Sequence, residues 1–519
     1  MGENRAQAVR DLVKGAGVVY AGLVIEILLA FLAQWLAARS LSLSGFGGLT
    51  TGTALLNIGA LVGTLGLGEG LVRYLPRVES DQQRRLLTWF SFAVVVPVSI
   101  VLGAVVSLNA PMIAAVIFGD PEVTVSIRIF GATIPFGAVI SLSVNGIRGR
   151  KRSRERVYIE NIVRPVTRFL CVSGVVIVGT TQALIAGAYA VPYVVGAVLA
   201  TVLFLRSIPG PVGTPLSELR TNWQESRELV GRFVRYSLPF TIHGAAGFVF
   251  RGIDIFLLLA IKGSDAVGVY GVAYATARLV LMFSTAFNYL GAPVASELES
   301  EEGSDGMVAV QDSLTRWLVV LSVPAILPFL FFPTEFISFI YRPRYAPGAL
   351  ALGVLAVGFA IHNVLSVQSN LVRGLGNSRQ LTVYNIVAAV VNVGLNLLLI
   401  PQYSFFGAAI ATVVAYLIKD LLIANLVRRE MGTLAISRRV LGPAALAIPL
   451  YGVGVAVSGL FPQSFLGLLA FSVTLAVLYV GAVVLVLGFT PVELMLVRSA
   501  NEQYGPDFGP LEQFVERFS

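Results

Sequence analysis

Residues 147–154 read Ile147-Arg148-Gly149-Arg150-Lys151-Arg152-Ser153-Arg154, and residues 372–379 read Val372-Arg373-Gly374-Leu375-Gly376-Asn377-Ser378-Arg379. The second string begins 225 residues after the first (147 to 372), and each follows a long apolar segment. A second pair lies at nearly the same offset: Ser44-Gly45-Phe46-Gly47 and, 224 residues on (44 to 268), Gly268-Val269-Tyr270-Gly271. Two pairs at one offset read as a duplicated half. In a membrane chain, duplicated halves are an architecture of transporters, with the site between the repeats.

Composition puts the chain in the membrane. Of 519 residues, 56% are hydrophobic and 13% charged, with mean hydropathy +0.81, against about 25% charged in an ordinary soluble domain. Residues 86–119, 170–205, 380–418 and 440–492 contain no Asp, Glu, Lys or Arg. Each run accommodates one or two spans of roughly 20 residues. Helices are the expected spans, because a helix satisfies its own backbone groups inside lipid. The single cysteine, Cys171, rules out an intramolecular disulfide.

Fourteen transmembrane helices fit between residues 15 and 488. With the N-terminus inside, the great majority of Lys and Arg fall in inside segments. The outside loops keep four, Arg39, Lys262, Arg342 and Arg344. This bias orients the chain with both termini cytoplasmic, in the cell membrane, and accounts for the net charge of +8 without nucleic acid as partner.

The expected organisation is all-α. Residues 1–206 form an N-lobe of spans 1–6, and residues 207–236 a cytoplasmic linker. Residues 237–430 form a C-lobe of spans 7–12, 431–489 carry spans 13–14, and 490–519 are a cytoplasmic tail. The even span count makes the two six-helix lobes parallel repeats, related by a pseudo-two-fold along the membrane normal, with a central cavity between them. In the linker, Thr214-Pro215 reads as a helix start. Leu216, Leu219, Trp223, Val230 and Phe233 follow at helical spacing, which predicts a short amphipathic helix lying on the inner leaflet.

Several motifs together resemble a known family. They are Gly45-Phe46-Gly47, Gly66-Leu67-Gly68 with Arg73, Arg373-Gly374-Leu375-Gly376-Asn377, and Asn392-Val393-Gly394-Leu395-Asn396 running to Pro401, followed by Phe406-Gly407-Ala408-Ala409. The chain resembles the polysaccharide-transport branch of the multidrug/oligosaccharidyl-lipid/polysaccharide exporter superfamily, the oligosaccharide flippases. That resemblance implies two bundles around a central cavity lined by spans 1, 2, 7 and 8, opening alternately to each side. The implied activity is transfer of a lipid-linked oligosaccharide from the cytoplasmic to the outer leaflet, for surface polysaccharide or glycoprotein biosynthesis. Glycosyltransferases or a polymerase of the same pathway are the expected partners. The chain is expected to be a transporter rather than an enzyme.

Charges at membrane depth are the candidate site residues, because each costs at least about 2.5–3.5 kcal/mol unless partnered or wet. Arg251, Arg278, Arg164 and Arg168 are candidates for the phosphate-bearing head group, since arginine stays ionised and presents a planar donor fork. Glu26 and Asp254 are candidates for coupling to H⁺ or Na⁺ or for charge balance. No other cofactor, no metal site and no catalytic residue is expected. Arg148, Arg154, Arg373 and Arg379 in the repeated strings are candidates for a cytoplasmic gate, or else simple anchors at the lipid head groups. Competing pairings are open at this stage: Arg251 with Asp254 and Glu160 with Arg164 are spaced to pair along one helix. His243 and His362 read as packing residues. Two other functions fit the same charges less directly, a cation-coupled multidrug exporter and a non-transporting scaffold for glycan assembly.

Overall fold

The computed structural model describes residues 22–208, 223–285, 312–369, 372, 378–431, 438–461 and 464–488. Among these residues every regular element is helical and no strand occurs. The tail at 490–519, Arg373 and the start of the linker helix at 214–222 lie outside them.

The first helices are α1 (Gly22–Ser40), α2 (Leu43–Gly63), α3 (Leu67–Tyr74), α4 (Asp81–Leu108) and α5 (Thr124–Gly149). They continue with α6 (Arg164–Val178), α7 (Gln182–Arg206), α8 (Trp223–Lys262) and α9 (Ser264–Ala277). The remainder are α10 (Asp312–Phe331), α11 (Pro333–Ile340), α12 (Ala349–Ser366), α13 (Ser378–Met431), α14 (Arg438–Val457) and α15 (Phe465–Leu487). Side chains of Ser42, Ser80, Thr181 and Ser464 accept from amides in the first turns of α2, α4, α7 and α15. Each satisfies a donor that the helix itself leaves open.

Thirteen described helices are long and apolar enough to cross a membrane, where the sequence reading has fourteen spans. The difference falls in α13. Its 54 residues would run about 80 Å, more than twice a hydrocarbon core of roughly 30 Å. Ser404 interrupts it with φ 52° and ψ −134°, so α13 holds two helices meeting at a kink, where two expected spans fall.

The chain divides into two compact units. One comprises residues 1–272 with 389–408, the other residues 273–388 with 409–519. In the first unit α5 is central, packing against α2, α4 and α7. The α2–α3 connection is a break rather than a loop. Leu65 and Gly66 have φ of 49° and 69°, and a Cβ on Gly66 would stand 2.2 Å from the Ser237 carbonyl oxygen.

The linker departs from expectation. From Trp223 onward it joins the next span without interruption, as the 40-residue α8. Phe233, expected on a lipid-facing stripe, is fully buried. Its ring lies edge-on to Tyr74 at 5.6 Å and to Phe90 at 6.4 Å. Protein packing takes the apolar face that the sequence pattern alone offers equally to lipid.

The glycines of the second sequence pair meet within the first unit. A Cβ on Gly47 would lie 1.9 Å from the Ser264 carbonyl oxygen, and one on Gly268 would lie 2.2 Å from that of Leu43. α2 and α9 therefore cross backbone to backbone, in the manner of small-residue contacts between membrane helices.

In the second unit, α14 and α15 close over α10 through Val320, Leu327, Phe471, Leu475 and Tyr479. The buried Arg316 donates to the Gly488 carbonyl at the end of α15.

Candidate functional site

The first unit contains a cavity of about 580 Å³, within the range of small-molecule sites. α2 contributes Asn57 and Ala60, the α2–α3 break Thr64 and Gly66, and α3 Gly68 and Glu69. Ser141, Asn145 and Arg148 of α5 line it, together with Tyr193 of α7 and Phe240, Thr241 and His243 of α8. Arg156 and Glu160 enter from the segment leading into α6, and Arg164 from the first residue of α6.

That segment is shaped by Pro165. Lacking an N–H and crowding the preceding turn, proline cannot continue a regular helix. The chain answers with a π-helical turn at Tyr158–Val163, directly before α6. Such turns reorient side chains and recur at functional sites. Here the turn sets Glu160 and Arg164 on the cavity wall.

Three arginines and two glutamates share this cavity, and the pairs are resolved. Arg156 Nε lies 2.6 Å from Glu160 Oε2. Arg148 Nη1 stands 3.7 Å from Glu69 and donates to Asn145 Oδ1 at 3.0 Å. Glu160 thus pairs one turn backward, not forward with Arg164. Arg164 has no ion pair among the described residues. Its Cζ sits 4.6 Å from the Tyr193 ring centroid, and its buried Nε has no hydrogen-bond partner there. Tyr193 is eleven residues into the 25-residue α7, about 17 Å along it, so the guanidinium lies near mid-height of that span. Arg168 repeats the arrangement one turn on, its Cζ 5.2 Å from the ring of Tyr189.

The other candidates fall elsewhere. Glu26 on α1 accepts a hydrogen bond from Asn161 Nδ2, which ties α1 to the π-helical turn. Arg251 is exposed, and its Nε donates to the Gly247 carbonyl of its own helix at 3.1 Å. No ion pair joins it to Glu26 or to Asp254 among the described residues. Asp254 is buried and accepts from the Tyr270 hydroxyl at 2.5 Å and the Ile255 amide at 3.0 Å. Arg278, in the second unit, is exposed and opens a 3₁₀ turn, Arg278–Leu281, within its span. Arg148 belongs to the cavity, while Arg154 and Arg379 are exposed.

Sequence reasoning missed Glu69 and Arg156. Glu69 follows Gly66-Leu67-Gly68 at the inner end of the expected second span. An acid at that depth was the available signal. No group of three or more metal-ligating side chains occurs among the described residues.

Fold and site together define a polytopic, all-helical membrane protein with a charged internal cavity. The profile of the family described as "Polysaccharide biosynthesis protein" matches residues 12–299, and the chain belongs to that family. The resemblance read from the glycine and asparagine motifs is borne out. The probable low-salt glycan biosynthesis flippase Agl15 of Haloferax volcanii is 22% identical over 419 residues, covering 80% of this chain and 83% of the relative. An uncharacterized membrane protein of Methanocaldococcus jannaschii, MJ1068, is 26% identical over 194 residues; the match spans 37% of this chain and 38% of that relative's length. Among solved structures, the inward closed conformation of the lipid II flippase MurJ superposes with TM-score 0.68 at 12% identity, covering 89% of this chain and 97% of the other. The fold is the one it shares with MurJ.

Proposed function

We propose that this chain is a flippase for a lipid-linked glycan, carrying the anionic head group of an isoprenoid-phosphate oligosaccharide from the cytoplasmic to the outer leaflet by alternating access. One observation carries the reading most of the way: Arg164 stands near mid-height in a polar cavity, stacked on Tyr193 and within ion-pair distance of no carboxylate among the described residues, with Glu26 its more distant counter-charge. A phosphate supplies what its donor fork lacks, in a setting where charge-assisted hydrogen bonds are strong. Asn57, Ser141, Asn145 and Thr241 offer hydrogen bonds to sugar hydroxyls, and Tyr193 an aromatic face. The α2–α3 break adds the amide end of α3, whose partial positive charge favours an anion. The printed names of Agl15 and MurJ support the same class of cargo.

In this reading Arg168, Arg251 and Arg278 receive the head group at other stages of transfer. Arg148, Arg154, Arg373 and Arg379 guard the cytoplasmic mouth. Glu26 and Asp254 balance charge or bind a coupling ion. Both termini face the cytoplasm, and glycan-assembling enzymes of the same pathway supply the cargo.

Purified protein in liposomes carrying a fluorescent isoprenyl-phosphate-linked saccharide tests this directly. Dithionite quenching should reveal transbilayer movement faster than in empty liposomes, and Arg164→Gln should abolish the acceleration. Equal quenching with and without the protein would overturn the proposal.

A further inference from the structure

The second unit holds a buried charged cluster that the head-group reading does not use. His362 on α12 lies with Nδ1 2.5 Å from Asp420 Oδ2 on α13. Lys419 Nζ stands 3.8 Å from the other oxygen, Oδ1, which accepts no hydrogen bond among the described residues. Tyr416, one turn back on α13, meets the imidazole edge-on at 4.6 Å, and Lys419 Nζ lies 4.8 Å from its ring centre. Asp420 is wholly buried, while the His362 and Lys419 side chains each retain 13% exposure.

One carboxylate here faces two cationic groups. An ionised carboxylate only accepts, so neutral His362 donates Nδ1–H to Asp420 and keeps a lone pair on Nε2. Lys419 and Asp420 then balance. A proton taken from solvent at Nε2 leaves the Nδ1–H bond in place and gives the buried cluster a net charge of +1. Histidine is the side chain whose charge changes near neutrality. An ionisable group inside a membrane span is a functional hypothesis by default.

The cluster is wired to an irregular segment. Asn363, next to His362 and fully buried, donates Nδ2–H to the Val280 carbonyl at 2.7 Å and contacts Ser322 Oγ at 3.1 Å. Val280 belongs to the Arg278–Leu281 turn, which packs against α12. A 3₁₀ turn within a span frees carbonyls from the α-helical pattern, and Asn363 takes one of them. Other titratable or charged groups on described elements packed against α12 are Arg278 on that turn, Tyr274 on α9, Asp312 and Arg316 on α10, Glu335 on α11, and Arg344 and Tyr345 in the turn preceding α12. Arg344 and Tyr345 flank the far end of α12, about 20 Å from His362 along the helix.

We propose that His362 and Asp420 form a proton-binding site whose occupancy biases the Asn363–Val280 clamp, and through it the turn that carries Arg278. The proton is the coupling ligand, and the bistable element is the 3₁₀ turn. The site stands on the geometry of the second unit and does not depend on what the cavity of the first unit carries.

Two endogenous reporters suit a test on the full-length wild-type protein in lipid bilayers. The chain has two histidines and six methionines, and Met282 directly follows the turn. Magic-angle-spinning NMR of ring-¹⁵N histidine and methyl-¹³C methionine would be recorded between about pH 5 and about pH 9. His362→Asn and Met282→Leu assign the two signals. The expected result is a His362 titration within the window and a Met282 shift with the same midpoint, lost in His362→Asn. Asn363→Ala should keep the His362 titration and remove the Met282 response. An imidazole held in one protonation state throughout would overturn the site. A Met282 signal indifferent to His362 protonation would overturn the coupling.

Discussion

Replacing Arg164 with leucine should raise stability and lower affinity for an anionic lipid in the same protein. Arg164 lies at span depth within ion-pair distance of no carboxylate among the described residues, so removing its charge relieves at most about 2.5–3.5 kcal/mol, the polar cavity and the more distant Glu26 already offsetting part of it. The stacking on Tyr193 at 4.6 Å is lost, at about 0.5–2 kcal/mol. The balance is a net stabilisation of at most roughly 0.5–3 kcal/mol. Binding moves the other way. A charge-assisted hydrogen bond to phosphate is worth about 1.5–3 kcal/mol, so affinity for a short isoprenyl phosphate should fall roughly 10- to 150-fold. Thermal unfolding by tryptophan fluorescence in detergent and a binding titration with farnesyl phosphate read the two effects separately. A lower Tm with unchanged affinity would refute the argument and make Arg164 a packing residue.

Other expectations follow from single contacts. Glu160→Gln should release Arg156 from its 2.6 Å partner and tighten farnesyl phosphate binding about 2- to 5-fold, an effect that added salt should erase. Phe233→Ala should cost about 3–5 kcal/mol in unfolding experiments, because the ring is buried against Tyr74 and Phe90 rather than lipid. A lipid-facing ring would show little loss. Gly47→Ala should abolish accumulation of folded protein, seen as loss of the monodisperse peak in gel filtration, since the new methyl would stand 1.9 Å from a carbonyl oxygen. Asp254→Leu should cost about 1–3 kcal/mol, because the buried Tyr270 hydroxyl loses the carboxylate it donates to, and Asp254→Asn less.

The spans were legible because lipid imposes its own period. Charge-free runs at 86–119 or 440–492 admit few other structures. Arg164 was a candidate from the sequence too, as a charge beside Pro165 within an expected span. Its solitude was not legible. Helical spacing permits Glu160 to pair with Arg156 behind it or Arg164 ahead, and only the π-helical turn decides for Arg156. Arg251 and Asp254 show the same limit in reverse. Their spacing allows a pair, yet Asp254 turns to Tyr270 on the following helix. The sequence reads His362 as a packing residue, and its ring does lie against Tyr416, but the carboxylate it meets lies 58 residues away. Contacts at such separations carry no local pattern. The linker failed for a related reason: an amphipathic stripe specifies that it will be covered, not by what.

The crossing of α2 and α9 at Gly47 and Gly268 has a consequence for how this chain can vary. The contact is made of backbone, so no side chain exists there to be traded for a similar one. Every substitution adds atoms to occupied space, and none can be compensated by trimming a neighbouring residue, because the opposing surface is a carbonyl. A saturation screen should therefore find positions as intolerant as catalytic ones where no chemistry takes place. Intolerance at these glycines would record the absence of a side chain rather than the presence of a function.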